Sequence, residues 1–416
     1  MVLSMSEVSI AHSGEVIRHA SKLLSDYFQK NIQFTKITQL SEPGRRNLIL
    51  RLESERQIDE IPATFILKKT EIEKERLTDE TEHEQLSRFA HDWAGLQFLT
   101  HIGGEHAPKF YVGSIEHKFI IIEDLGISHP SLVGPLTRKY SADNLKQAES
   151  ALIAYVQRLG KMHADTAGKL DLYNFIVKEI YPSIDRIHAF SDSEISKMTK
   201  LIKSLTGHYS NELDNEICDV KNYIETNNEF TVFLHGDICP DNVFYNENNM
   251  RFIDFEYGDF GNAFIDAAYL RMFMPSCWCS KRFPSYIISK MESIYRDELK
   301  KKIVSASDDL IYEKQLTYAC AYWMLRGLQV LDEVNLLERE WIGSSGPVDA
   351  DSAWEPKTNA SRPRILSRLE AFISLAKTTG HLPHLTIAFI ALLERLKILW
   401  PETSGMSLYP AFQNVV

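Results

Sequence analysis

The sequence predicts an α+β chain, with a small β-rich region at the N-terminus and a larger, mostly helical remainder. Strand and helix patterns alternate up to residue 123, whereas from residue 124 onwards apolar residues recur at helical spacing over long stretches. The length of 416 residues favours two domains or two lobes. We therefore predict a first domain over residues 1–123 and a second over residues 124–416.

Apolar periodicity predicts each element of the first domain in turn. The expected elements are a helix at Val16–Phe28, strands at Ile32–Leu40, Asn47–Leu52 and Thr64–Leu67, a helix at Glu84–Leu99, and strands at Lys109–Gly113 and Phe119–Ile122. The third strand leads directly into Lys68 and Lys69. Because strand side chains alternate, these two lysines should leave on opposite faces, with Lys68 on the face of Thr64 and Ile66.

Helical apolar faces predominate in the second domain, for example from Leu152 to Met162 and from Ile365 to Ala376. The predicted exception is one β-hairpin. Its strands are Val243–Asn246 and Arg251–Ile253, joined by the polar turn Glu247–Asn249.

Composition and charge exclude several classes of protein. The chain has 46 Lys and Arg against 57 Asp and Glu, a formal net charge of −11, which is the wrong sign for sequence-independent binding of nucleic acid or of anionic membranes. The most apolar window, Leu385–Leu393, is shorter than the roughly 20 residues that span a bilayer. Glu7 and Glu15 interrupt any N-terminal export signal. We expect a cytoplasmic protein without a nucleic-acid or membrane partner, and its oligomeric state stays open.

The five cysteines are odd in number and form no CxxC pair, so we interpret them as reduced thiols. The run Cys277-Trp278-Cys279 has two thiols, but no further ligand stands at the spacing of a zinc finger. We interpret both cysteines as small buried apolar residues.

The densest polar cluster surrounds the predicted hairpin. Asp237 and Asn242 precede its first strand and Asp254 follows its second, so strand pairing should bring two carboxylates and one amide together. Magnesium prefers such oxygen ligands and keeps its remaining positions for phosphates and water. The cluster therefore predicts a magnesium site.

The run HGDxxxxN from His235 to Asn242, followed by IDFE from Ile253 to Glu256, resembles the aminoglycoside phosphotransferase and choline kinase family. The resemblance implies a bilobal, protein-kinase-like fold that uses ATP and magnesium. It also implies that Asp237 is the catalytic base, that Asn242 and Asp254 bind magnesium, and that His235 organises the loop. Asp266 resembles the buried aspartate that braces this loop in the family.

The same resemblance implies a nucleotide site in the first domain. Lys68 would contact the ATP phosphates and would pair with an acidic residue of the next helix. Asp92 stands where relatives have this Glu, and Glu82 or Glu84 are the alternative partners of the lysine. Residues 41–47 resemble the nucleotide loop, with Gly44 and Asn47 as candidates. Residues 120–126 resemble the segment between the lobes, where the backbone of Glu123 and Leu125 would contact the adenine.

Candidates for the acceptor site follow Asp254. Choline kinases also have an IDFEY run and bind a cationic head group among acidic and aromatic side chains, where an ammonium over a ring gains about 0.5–2 kcal/mol. Glu256, Asp259, Trp278 and Trp323 are candidate substrate residues, although a Trp on a helical face more often belongs to the core. The acceptor is expected to be a small-molecule hydroxyl, with aminoglycoside-like, choline-like and sugar-like compounds all open.

Two other classes of function are disfavoured. A dinuclear metallohydrolase would need imidazole ligands, but the chain has no histidine between His235 and His381. A nucleotide-binding pseudokinase or regulatory protein without turnover would be expected to have lost a catalytic position, yet Lys68, Asp237, Asn242 and Asp254 are all present. The resemblance therefore predicts a kinase that acts on an alcohol group.

Overall fold

The structure, a computed structural model, describes residues 7–42, 45–54, 61–71, 82–126, 131–246, 249–329 and 360–414. The chain forms two compact units. Unit 1 comprises Met1–Ser128, Leu172–Asp185 and Asp254–Glu256, and unit 2 comprises His129–Asp171, Arg186–Ile253 and Tyr257–Val416. Unit 1 holds a five-stranded sheet and unit 2 holds most of the helices, so the predicted α+β class is confirmed.

Unit 1 is built on an antiparallel sheet with the strand order β1-β2-β3-β5-β4. Its elements are α1 (Glu7–Phe28), β1 (Phe34–Gln39), β2 (Asn47–Ser54), β3 (Thr64–Thr70), α2 (Glu82–Ile102), β4 (Phe110–Ser114) and β5 (Phe119–Glu123). Alternate residues of β2 and β3, among them Leu52, Phe65 and Leu67, are fully buried in a core with Ala20 and Leu24 of α1. The opposite face of β3 is left to carry polar side chains.

Helix α2 supplies polar groups to unit 1. Its first turn contains Glu82 and Glu84, which suits the positive end of the helix dipole. Arg88 and Asp92 are four residues apart, so they lie on the same side of the helix. Asp92 is buried together with the apolar residues around it, a position that a carboxylate keeps only when it is paired.

Unit 2 is mainly helical. The helices among its described residues are α3 (Val133–Thr137), α4 (Ala142–Thr166), α5 (Leu170–Ile180), α6 (Asp192–Thr206), α7 (Asn211–Glu225), α8 (Phe264–Ala267), α9 (Ser285–Leu299), α10 (Asp309–Gln329), α11 (Ser361–Thr379) and α12 (Pro383–Leu399). Helix α5 begins in unit 2 and continues into unit 1. Local signals set several ends: α6 begins at a capping box of Ser191 and Glu194 and ends at Gly207 in a left-handed conformation.

Unit 2 also contains four short strands in two pairs. Strands β7 (Val243–Asn246) and β8 (Asn249–Phe252) form the predicted hairpin. Strands β6 (Thr231–Leu234) and β9 (Asp259–Asn262) form a second antiparallel pair, so the prediction of the hairpin as the single β-structure of this region is wrong. The sequence of β6 has only three consecutive apolar residues after Thr231, a run too short to distinguish from a buried helical segment by periodicity.

Within the described ranges, no helix is long and apolar enough to cross a membrane.

Candidate active site

Lys68 is the centre of a buried group of charges in unit 1. It lies near the end of β3, opposite Ile49 of β2 and Ile120 of β5, and its side chain is 12% exposed. Its Nζ is 2.8 Å from Oδ2 of Asp92 and 3.6 Å from Oε1 of Glu256, and it donates a hydrogen bond to Oδ1 of Asp254. We call these four residues the lysine cluster.

The neighbouring carboxylates keep Lys68 charged. Burial disfavours an ammonium, but Asp254, Asp92 and Glu256 outweigh it and raise the pKa of Lys68 above its ordinary value. The side chain of Asp254 is 37% exposed, and its partial burial together with the charge of Glu256 raises the pKa of Asp254 above its ordinary value. The cluster therefore concentrates more negative charge around Asp254 than Lys68 alone balances.

Glu256 is the most heavily paired carboxylate of the cluster. It accepts hydrogen bonds from Asn47 Nδ2 at 2.7 Å and from Arg88 Nη2 at 2.7 Å, and a third from Arg46. Burial would raise its pKa, but Lys68, Arg46 and Arg88 hold the pKa of Glu256 well below its usual value. Glu256 thus lies among the cations of unit 1.

Asp92 connects β3 to the segment that follows the hairpin. Its Oδ2 contacts Lys68, and its Oδ1 accepts the backbone N–H of Phe255 at 2.8 Å. Asp92 is therefore in contact with Lys68, whereas Oε1 of Glu82 lies 4.0 Å from Nζ of Lys118. Asp254, next to Phe255, has a left-handed backbone with φ of 69°, a conformation that costs a non-glycine residue energy and occurs often at functional sites.

The other residues predicted for the nucleotide side have separate places in unit 1. Asn47 begins β2 and also accepts a hydrogen bond from Thr70 Oγ1 at 3.3 Å. Glu123 ends β5, and its Oε2 accepts the backbone N–H of Lys109 at 3.0 Å. Leu125 is partly buried after β5, and Gly44 lies outside the described residues.

In unit 2, residues 235–242 follow β6 and form a loop that we call the catalytic loop. The buried Asp266 braces its start, because its two carboxylate oxygens accept the backbone N–H groups of His235 at 2.8 Å and Gly236 at 3.1 Å. Its Oδ2 also lies 3.3 Å from Nε2 of His163. Burial would raise the pKa of Asp266, but the hydrogen bonds from His163 and His235 lower it, so the brace stays ionised.

His235 connects the catalytic loop to the end of the hairpin. Its Nε2 donates to the carbonyl of Ile253 at 3.0 Å, and its Nδ1 accepts the backbone N–H of Asp237 at 3.4 Å. The side chain is fully buried, and burial lowers its pKa, so the ring is neutral. These contacts give His235 an organising position.

Gly236 is required by the course of the loop. Its φ of 78° is in the left-handed region, and a Cβ atom there would lie 2.3 Å from the carbonyl oxygen of Tyr257 and 2.7 Å from Cε1 of His188. No side chain fits against a backbone carbonyl at that distance. The loop therefore turns towards Asp237 only with glycine at this position.

Asp237 has one carboxylate oxygen surrounded by hydrogen-bond donors. Its Oδ1 accepts from Tyr269 Oη at 3.2 Å, from Ser276 Oγ at 2.5 Å and from Cys239 Sγ at 3.3 Å. Its Oδ2 lies 3.3 Å from Nδ2 of Asn242. The carboxylate is thus oriented by hydrogen-bond donors that carry no charge.

Asn242 ends the catalytic loop. Its Nδ2 donates to the backbone carbonyl of Asp237 at 2.9 Å, and this acceptor fixes which end of the amide faces the loop. The amide oxygen is then the atom that Asn242 can offer to a metal. The backbone carbonyl of Asn242 accepts the N–H of Ile253 at 3.0 Å, so the hairpin closes one residue before Asp254.

The remaining predicted substrate residues are buried in unit 2. Asp259 accepts from Nε of Arg186 at 3.1 Å and from the N–H of Phe260 at 2.7 Å. The indole of Trp278 donates to Oδ2 of Asp241 at 2.7 Å, and the indole of Trp323 donates to the carbonyl of Ile265 at 2.7 Å. Both indole rings are therefore buried and held by hydrogen bonds inside unit 2.

Several functional contacts had no sequence signal. Tyr269 and Ser276 belong to no recognisable motif, although both donate to the carboxylate of Asp237. Arg46 is 210 residues from Glu256 in the chain, so no local pattern relates them. Arg88 is the exception, because its place one turn before Asp92 on a predicted helix could have indicated it.

Most of the residues of this site lie within a stretch of sequence that is similar to known proteins. Residues 64–288 match the sequence model of a family described as "Phosphotransferase enzyme family". No curated protein sequence matches the chain. Similar solved structures include a choline kinase from Cryptosporidium parvum Iowa II, with 13% identity, 94% of this chain and 97% of that chain covered, and a TM-score of 0.42. They also include the choline kinase LicA from Streptococcus pneumoniae (15% identity, 86% of this chain and 99% of that chain covered, TM-score 0.37) and the amicoumacin kinase hAmiN (14% identity, 89% of this chain and 96% of that chain covered, TM-score 0.43).

Proposed function

The chain belongs to the phosphotransferase enzyme family, and from this premise we propose that it transfers the γ-phosphoryl group of ATP, with magnesium, to a hydroxyl group of a small molecule. The family resemblance expected from the sequence is confirmed, and with it the enzyme class. ATP, magnesium and the hydroxyl acceptor are the parts that we propose.

The observation that carries this proposal is the geometry of the catalytic loop. Phosphoryl transfer by kinases depends on positioning the acceptor and on neutralising phosphate charge, with one carboxylate orienting the attacking hydroxyl. Asp237 is such a carboxylate, since Tyr269 and Ser276 hold its Oδ1 by hydrogen bonds. We assign it the role of base that accepts the proton of the acceptor hydroxyl.

Asp254 and Asn242 have the chemistry of magnesium ligands. Asp254 offers a carboxylate beside two others, Asp92 and Glu256, where a divalent cation would reduce the repulsion that contributes to its raised pKa. Asn242 offers an amide oxygen. Bound magnesium would neutralise the charge on the phosphate oxygens, while Lys68 supplies a fixed positive charge for the phosphates.

A two-step experiment tests the proposal. ATP consumption by the purified protein is measured against a panel of hydroxylated small molecules that includes choline-like amines, sugars, aminoglycosides and macrolides. We expect turnover with at least one acceptor, and Asp237→Asn should reduce it by about 10²–10⁴-fold while ATP binding is retained. The control Asp143→Asn makes the same chemical change at an exposed position in the first turn of α4.

Calorimetric titration with ATP, with and without magnesium, tests the metal ligands. We expect Asp254→Ala to lose the magnesium dependence of ATP binding. Equal magnesium dependence in parent and variant would contradict the assignment of Asp254, and ATP binding without turnover on any acceptor would favour a regulatory protein instead.

A further inference from the structure

Three thiols and one carboxylate converge beside the catalytic loop in unit 2. Cys239 and Asp241 lie within the loop, and Cys277 and Cys279 follow Ser276. The ligand atoms of Cys239, Asp241 and Cys277 all lie within 4.8 Å of one another, and Sγ of Cys279 is 3.1 Å from Sγ of Cys277. The three cysteines are between 0 and 4% exposed.

The spacing of these atoms fits a tetrahedral cation. Zinc binds thiolate sulfur at about 2.3 Å and carboxylate oxygen at about 2.0–2.2 Å, which separates neighbouring ligand atoms by roughly 3.5–4 Å. Three of the donors lie within 4.8 Å of one another, and Cys279, whose Sγ is next to that of Cys277, can supply the fourth. Thiolate-rich sets favour zinc over magnesium or calcium, because soft sulfur ligands select soft or borderline metals.

The surroundings support the same conclusion. The indole N–H of Trp278 donates to Oδ2 of Asp241 at 2.7 Å, a contact of the kind that orients the ligands of a metal site. The buried Arg364 donates to the carbonyl of Trp278 at 3.0 Å, which brings a positively charged side chain to the segment that holds Cys277 and Cys279. A zinc ion with three thiolates and one carboxylate carries a net charge of about −2, so a buried cation at this place is favourable.

We propose that Cys239, Asp241, Cys277 and Cys279 form a structural zinc site that ties the catalytic loop to residues 276–279. With four protein ligands, the site is closed and has no position for substrate. Its consequence is positional: Ser276, which donates to Oδ1 of Asp237, directly precedes the proposed ligand Cys277. Cys239 would bind zinc as a thiolate and would no longer donate to Asp237, so the zinc would act on the base by holding the hydroxyl of Ser276.

The first test measures metal in the intact chain. Protein is purified under reducing conditions without chelator, and zinc is counted by inductively coupled plasma mass spectrometry. We expect about one zinc per chain, and its loss in Cys277→Ser and Asp241→Asn. The matched controls are Cys218→Ser, at an exposed thiol, and Cys320→Ser, at a buried thiol outside the cluster; both should retain the metal.

A second test needs no variant. The chelator-treated parent protein is titrated with Co²⁺, and a thiolate-to-cobalt charge-transfer band together with intense tetrahedral d–d bands would support the site. The proposal is overturned if the reduced parent holds no zinc and gives no such spectrum, or if Cys277→Ser keeps the parent's zinc content.

Discussion

Replacing Lys68 by methionine tests the lysine cluster most directly. The change removes the ammonium and keeps a side chain of similar length, so its main effect is on charge. Losing one partner of a buried ion pair typically destabilises a protein by about 3–5 kcal/mol, because the other charge stays buried. Here two features reduce the effect. Glu256 keeps Arg46 and Arg88, and Asp254, at 37% side-chain exposure, can regain water.

Without the ammonium of Lys68, Asp92 is the carboxylate of the cluster whose buried charge is least compensated. It is 2% exposed, and of the contacts described above it keeps the N–H of Phe255. We therefore expect Lys68→Met to destabilise unit 1 by about 3 kcal/mol, the lower end of the range. The double variant Lys68→Met/Asp92→Asn should be more stable than the single one, since the neutral amide can still accept that N–H without a buried charge.

Lys69→Met is the matched control. Lys69 lies on the other face of β3, and its Nζ is 3.7 Å from Glu71, whose side chain is 38% exposed. A pair of this kind contributes about 0–1 kcal/mol. Lys69→Met should thus resemble the parent protein.

Hydrogen exchange of β3 and α2 peptides, measured by mass spectrometry, reports the stability of unit 1 by itself. A loss of 3 kcal/mol corresponds to about 100-fold faster exchange of the slowest amides in Lys68→Met. Slow exchange equal to that of the parent would refute the pairing argument. Faster exchange in Lys69→Met than in Lys68→Met would mean that the faces of β3 are assigned in reverse.

Three further predictions concern unit 2. Gly236→Ala should abolish turnover and lower the melting temperature in differential scanning fluorimetry, because its Cβ would lie 2.3 Å from the carbonyl of Tyr257; a variant with the parent's activity would contradict the loop geometry. Ser276→Ala should lower turnover about 10- to 100-fold by removing a hydrogen bond to the charged Asp237, whereas Ser276→Thr keeps the hydroxyl and should behave like the parent in the same assay. Burial lowers the pKa of His188 from 6.5 to about 4, so the folded protein favours the neutral ring. The contribution of His188 to the free energy of unfolding is therefore fully present above pH 6.5 and falls by about 3 kcal/mol as the pH drops to 4. Urea unfolding at several pH values should show a flatter decline in His188→Gln.

The sequence predicted those features that depend on local spacing. The alternation of β3 put Lys68 and Lys69 on different faces, and the pattern of residues 243–253 predicted the hairpin found at β7 and β8. The role of Glu256 depended on partners elsewhere in the chain. The IDFEY run suggested an acceptor site, but the contacts of Glu256 are with Arg46 and Arg88, 210 and 168 residues away. Without the fold, no rule of spacing connects such residues.

The segment between Tyr269 and Ser276 shows how the position of Asp237, the base that we propose, depends on the helices around its loop. Phe273 and Met274 both have left-handed backbones, with φ of 56° and 54°, and such residues cost about 1–3 kcal/mol each unless their surroundings fix them. Arg368 of α11 provides part of that support, donating to the carbonyls of Met272 at 3.0 Å and Met274 at 3.4 Å. The hydroxyls that orient the carboxylate of Asp237 therefore depend on a helix more than 80 residues further along the chain. Since a base must lie within hydrogen-bond reach of its proton, we expect α11 to contribute to the position of the proposed base through this segment.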